Sequence, residues 1–206
     1  MSCSIGVLVS GRGSNLDAIL KAIKSHWIKG AKVAIVISSK PGVMALEVAK
    51  RYGVPSEVIP SEGLDRSTYD TKIVECLRRY GVEPDSGLIL LAGYMRLLTL
   101  DFVSTYKGRI LNIHPSLLPS FPGLNAQEQA LAYGVKVAGC TVHFVIPEVD
   151  AGPIIVQETV KVMEGDTVEE LSNRILKKEH VLFPLAVKLF VEGKLRINGR
   201  RVIIKA

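Results

Sequence analysis

The stretch IGVLVSGRGSNLDAILKAI, residues 5–23, passes from one structural period to another within nineteen residues. Ile5–Val9 is a short apolar run of strand type, SGRGSN is a glycine loop, and Leu16, Ile19, Leu20 and Ile23 recur at helical spacing. The chain therefore opens strand, loop, helix. The same order repeats downstream. KVAIVIS reads as a strand, VMALEVAKRYG as a helix ending at Gly53, VPSEVI as a strand, and STYDTKIVECLRRYG as a helix ending at Gly81. Each glycine falls where a left-handed helix cap is expected. SGLILLAG is the most apolar segment and is predicted to be central. This alternation predicts a parallel sheet with helices on both faces, joined by right-handed crossovers.

Beyond GRILNIH the pattern is less regular. A proline-rich loop and a short helix around AQEQALAYG lead into two strands, GCTVHFVI and PIIVQETVKV. Their connection, PEVDAG, is too short for a crossover helix, so the two strands are expected to be antiparallel. Thr167–Phe190 predicts a long helix capped by Thr167 with Glu170, and LRINGRRVII predicts a terminal hairpin with its turn at Asn198-Gly199. The expected fold is one α/β domain over residues 1–206, Rossmann-like, with a mostly parallel sheet and an antiparallel C-terminal strand. Within it, 1–100 is mainly a phosphate-binding half, 101–193 a catalytic half, and 194–206 a basic hairpin.

With 206 residues, 48% of them hydrophobic, the chain can bury a substantial core. Cys3, Cys76 and Cys140 are scattered and odd in number, so neither a disulfide framework nor a metal site is expected. Neither apolar run has the length of a signal peptide core or a membrane span, and a cytoplasmic setting is expected. The net charge is +6, but the last thirteen residues carry five basic side chains and no acid. The remainder holds 21 basic against 20 acidic residues, so neither a nucleic acid nor a membrane is the expected partner.

Functional signals lie in three places. A glycine loop at the start of a helix presents backbone N–H groups to an anion, with Gly13, Ser14 and Asn15 as candidates and Arg12 adding charge. GRGSNL lacks the third glycine of a dinucleotide fingerprint and the Gly-Lys-Ser/Thr of a nucleotide loop, so a small phosphorylated metabolite is the better match. Asn112 and His114 sit two apart in ILNIH and project to one side of a strand, where an amide can donate to an oxyanion and an imidazole can move a proton. Taken alone, the pair fits a strand end bonded into a turn equally well. Asp150, on the PEVDAG loop, is an attractive partner for His114. His143 reads as structural, and the absence of GxSxG disfavours a serine hydrolase.

Together, VLVSGRGSNL, LAGYMRLL, LNIHPSLLPSFPG and VHFVIPEVDAGPI resemble the formyltransferases that use 10-formyltetrahydrofolate, in their glycinamide ribonucleotide branch. The resemblance implies formyl transfer from that folate to the substrate amine in purine biosynthesis, with Asn112, His114 and Asp150 as the catalytic set. It implies that Gly13, Ser14, Asn15, Arg66 and Glu179 contact the nucleotide. It further implies that Met95, Arg96, Leu97 and Leu98, with Asn112 and Asp150, contact the folate; Leu90 and Val145 are weaker matches. No metal is implied, the partners are small molecules, and a homodimer is left open. A formyltetrahydrofolate hydrolase is the alternative; that family resembles a longer chain and has His where this chain has Pro115.

Overall fold

The computed structural model describes residues 2–205, whose contacts cluster into two units, Met1–Asn112 and Ile113–Ala206. In the first unit the order is β1 (Cys3–Val9), α1 (Ser14–Lys24), β2 (Ala31–Ser38), α2 (Met44–Arg51), β3 (Ser56–Val58), α3 (Arg66–Arg79), β4 (Leu88–Leu91), α4 (Leu100–Thr105) and the start of β5 (Ile110–His114). Its strands lie in the order β3-β2-β1-β4-β5, and every neighbouring pair is parallel. From β1 the chain winds outward to β3, then crosses back and winds the other way. With right-handed crossovers this places helices on opposite faces; α1 packs on α2, and α3 on α4.

The sequence expectation of a parallel, doubly wound sheet holds. Ile5, Val7, Leu8, Ile35, Val36, Ile37, Leu88, Ile89 and Leu90 are fully buried, as strands covered on both faces must be. Two elements differ from the expectation. VPSEVI gives a strand of only three residues, since Pro55 precedes it and Pro60 follows, and neither can donate to a ladder. Leu100–Thr105 forms a helix that no sequence pattern marks; six residues are too few to show a period, and Thr99 caps it by accepting from Phe102 N at 3.2 Å.

The second unit contains the end of β5, α5 (Ala126–Tyr133), β6 (Val137–Phe144), β7 (Ile154–Lys161), α6 (Val168–Val191), β8 (Leu195–Asn198) and β9 (Arg201–Ile204). β6 and β7 are antiparallel as expected, and α6 packs against both. The predicted capping box is present. Thr167 Oγ1 accepts from Glu170 N at 3.2 Å, and Glu170 Oε2 accepts from Thr167 N at 2.8 Å. The terminal hairpin turns at Gly199-Arg200 rather than at Asn198-Gly199. Asn198 still pairs with Arg201, and Gly199, at φ +59°, occupies the first turn position that a type II′ geometry reserves for glycine. β9 also joins β7 in parallel through Ile154 and Arg201. Among the described residues no helix is long and apolar enough to cross a membrane.

Candidate active site

In the first unit the glycine loop leaves β1 where the strand order reverses, the position at which open α/β sheets receive ligands. It is held from three sides. Ser10 N donates to Gly93 O at 3.1 Å, Ser10 and Ser39 share a hydroxyl bond of 2.9 Å, and Ala45 N donates to Gly11 O at 3.1 Å. Gly13 is the N-cap of α1 at φ +75°, and a Cβ there would lie 2.6 Å from Ala45 Cα, so α2 can approach only a glycine. No side chain caps α1. Its first N–H groups are thus available to an anion beside half-buried Ser14. Asn15, a candidate donor in the sequence, is 8% exposed and engaged within the protein.

Met95 N donates to Ser10 Oγ at 3.1 Å, tying the Met95–Leu98 segment to the same loop. Met95 and Leu97 are 67% and 52% exposed, an uncovered apolar pair suited to a flat, apolar ring system. Arg96 instead turns inward. Its guanidinium lies 4.6 Å from the Tyr69 ring centre, and Nη1 donates to Ser61 Oγ at 2.7 Å. Buried Asp70 stands nearby, its carboxyl pushed up by burial against the opposing bond from Thr99 N at 2.6 Å. Arg66 opens α3, exposed and within electrostatic reach of Asp70. Leu90 is fully buried in β4 and belongs to the core.

β5 carries both Asn112, half-buried and engaged, and His114, which is 5% exposed. In the second unit His114 and Asp150 meet across 36 positions of sequence: Nδ1 of the imidazole lies 3.3 Å from Asp150 Oδ2. The expectation that Asp150 partners His114 is thereby met in geometry. The loop that places Asp150 does so in a left-handed conformation, φ +50°, which aspartate tolerates better than most residues. Gly152 lets the loop close, because a Cβ there would fall 1.7 Å from the Phe144 carbonyl oxygen.

The segment after the prolines reaches back to both groups. His114 Nε2 lies 2.8 Å from the Phe121 carbonyl, and Gly123 N donates to Asp150 Oδ2 at 2.8 Å. Burial pulls the His114 pKa down, and the Phe121 bond and the Asp150 charge only partly restore it. For Asp150 burial acts upward, but the bonds from His143 and Gly123 and the two imidazole charges outweigh it and hold the carboxyl below its usual value. His143, which the sequence marks only as structural, is 2% exposed with Nε2 3.6 Å from Asp150 Oδ1. Alternation along β6 could have placed it on the side of the PEVDAG loop, but the closeness depends on how that loop folds. Glu179 sits on α6, 7% exposed and engaged, where its charge adds to the burial that pushes the Cys140 thiol up to about 12. Val145 is half-buried beside the same loop.

The doubly wound sheet with a glycine loop at its switch point puts the first unit in the α/β class, and the second unit holds an imidazole–carboxylate pair whose side chains are 6% and 10% exposed. The formyl transferase family model matches residues 3–187, and the chain belongs to that family. It is 42% identical over 196 residues to phosphoribosylglycinamide formyltransferase of Escherichia coli, covering 95% of this chain and 90% of that one. It is 47% identical over 199 residues to the trifunctional purine biosynthetic protein adenosine-3 of Bos taurus, where 95% of this chain covers 19% of that protein. The chain thus spans about a fifth of the length of the first curated relatives it matches. The crystal structure of glycinamide ribonucleotide transformylase 1 from Symbiobacterium toebii superposes with a TM-score of 0.95 at 51% identity, covering 100% of this chain and 95% of that one.

Proposed function

We propose that the protein transfers the formyl group of 10-formyltetrahydrofolate to the amine of glycinamide ribonucleotide, giving the N-formyl product and tetrahydrofolate, a step of purine biosynthesis. The observation that carries the reading is the buried His114–Asp150 pair, with Nδ1 and Oδ2 3.3 Å apart, in a chain of the formyl transferase family. The partners are the two small substrates, the setting is the cytoplasm, and the oligomeric state is a matter for sizing in solution.

Each side chain has a role that follows from its chemistry. Gly13, Ser14 and the first turn of α1 bind the nucleotide phosphate, with Asn15 bracing the turn and Arg66 supplying charge. Glu179 contacts the glycinamide end. Met95 and Leu97 cover the folate ring system, Arg96 and Leu98 shape the same segment, and the folate supplies the activated formyl carbon. Attack by the amine turns the formyl oxygen into an oxyanion, for which the Asn112 amide is a donor. His114 carries a proton between the entering and leaving nitrogens, and Asp150 fixes the imidazole and stabilises its charged form. Asp150 and Asn112 also contact the folate.

The test supplies the folate alone, with glycinamide ribonucleotide, or with methionyl-tRNA, and follows tetrahydrofolate release. Release only with the ribonucleotide is expected. Equal release without any acceptor would replace the reading with a hydrolase, and release only with methionyl-tRNA would move it to another acceptor.

A further inference from the structure

The second unit contains a cavity of about 340 Å³ whose lining includes none of the residues assigned to either substrate. It opens between the segment after β5, the end of α5 and the start of β6, with Ser116, Ser120, Phe121, Ala130, Tyr133 and Val137 in its wall. Buried Ala130 and Ala138 are too small to fill it. One wall is fixed in advance. Leu118 N donates to Thr141 Oγ1 at 3.1 Å, Thr141 Oγ1 donates to the Ser116 carbonyl at 2.6 Å, and Gln157 Nε2 donates to the Leu118 carbonyl at 3.0 Å. The loop is thereby tied to β6 and β7, and preformed, mostly apolar concavities of this kind are where small molecules bind. At about 30 Å³ per water the volume holds about eleven waters, room for two fused rings and little more.

The lining sets the chemistry of the occupant. No lining residue is charged, so an ionised ligand would lose hydration and gain no counter-charge. Phe121 and Tyr133 stand edge to face with ring centres 5.8 Å apart and planes at 64°, and Tyr133 is 80% exposed. A ring so uncovered offers its face to a flat partner. Among the described residues the Ser120 and Tyr133 hydroxyls have no hydrogen-bond partner, and each can pair with a polar ring edge.

We infer that this cavity binds an uncharged, fused-ring aromatic molecule with a polar edge, held against Phe121 and Tyr133. Such binding is independent of the formyl-transfer reading. Occupancy also bears on the loop beside the candidate active site. Phe121 holds φ +54°, a left-handed backbone that a bulky residue rarely adopts, and its carbonyl lies 2.8 Å from His114 Nε2. A ring packed on Phe121 adds contacts to that conformation alone and so favours it.

Indole and adenine, both uncharged at neutral pH, are the probes, added to the full chain and followed by amide NMR and calorimetry. Saturable binding of at least one is expected, with a dissociation constant of about 1 mM or tighter and shifts centred on the amides of Phe121, Tyr133 and Val137. Tighter adenine assigns recognition to the ring edge and tighter indole to the ring face; either result supports the site. Indole-3-acetate, which adds a carboxylate, should bind about tenfold more weakly than indole. Tyr133→Ala should melt within a few degrees of wild type and weaken binding about threefold or more. Val137→Trp, which fills the cavity from a position 51% exposed, should weaken it as well. No saturable binding of either ring up to about 5 mM, shifts centred outside the cavity, or unchanged affinity in both variants would overturn the proposal. So would a concentration-dependent dimer that covers the same amides and that neither ring reverses, since a second copy would then be the occupant.

Discussion

Replacing Asp150 by asparagine removes a charge while keeping nearly all the shape. The amide retains an oxygen for the Gly123 N–H, now at 2.8 Å, and asparagine is at home at the φ of +50° found here. Folding should be little changed, with the melting temperature within a few degrees of wild type. What is lost is the interaction with a protonated His114 whose Nδ1 lies 3.3 Å away. At an effective dielectric of about 20 that pair is worth about 5 kcal/mol, and a hydrogen bond to a charged group gives a lower figure of about 3 kcal/mol. These bounds correspond to a loss in kcat of about two to four powers of ten. Because the Asp150 charge raises the His114 pKa, its removal lets that pKa fall further, and the acid limb of the rate profile should move down in pH. Single-turnover formyl transfer between acid and neutral pH, with thermal melting alongside, measures both effects. Near-normal kcat in well-folded Asp150→Asn protein would refute the reasoning and leave Asp150 as a loop residue.

Three further outcomes are expected. Gly13→Ala should cost about 1–3 kcal/mol of stability, read as a lowered melting temperature, because the residue is held at φ +75° with Ala45 Cα 2.6 Å from the new Cβ; Ser14→Ala should leave melting unchanged and raise the KM for the ribonucleotide about tenfold or more. Met95→Ala and Leu97→Ala, at positions 67% and 52% exposed, should each leave stability within about 0.5 kcal/mol and raise the folate KM, by about 1–2 kcal/mol of lost apolar contact. The depressed His114 pKa means that the unfolded chain binds its proton first, so stability should decline as pH falls below about 6.5, the unfolded value, until the folded histidine also titrates. In His114→Gln, calorimetric melting from pH 7.5 to 5 should show a shallower decline than wild type; an identical slope would count against the assignment.

The sequence by itself determined the elements whose cause is local. Alternating strand and helix periods gave the parallel first half, because a strand buried on both faces must be apolar throughout and a covering helix must repeat its apolar stripe. The Thr167 capping box was readable because both partners lie within four residues, and the strand–glycine–helix opening marked an anion site for the same reason. Asn112 and His114 could be paired by the two-residue period of a strand. Tertiary structure decided what depends on contacts across long stretches of chain. Only the folded PEVDAG loop brings Asp150 to His114 and, on its other side, to His143, with Gly152 clearing the Phe144 carbonyl. Only folding turns Arg96 in toward Tyr69 while leaving Met95 and Leu97 exposed, and buries Asn15 in the first turn of α1. Local propensity fixes the direction in which a side chain leaves its own element, whereas the distance to a partner dozens of residues away depends on the packing of everything between them.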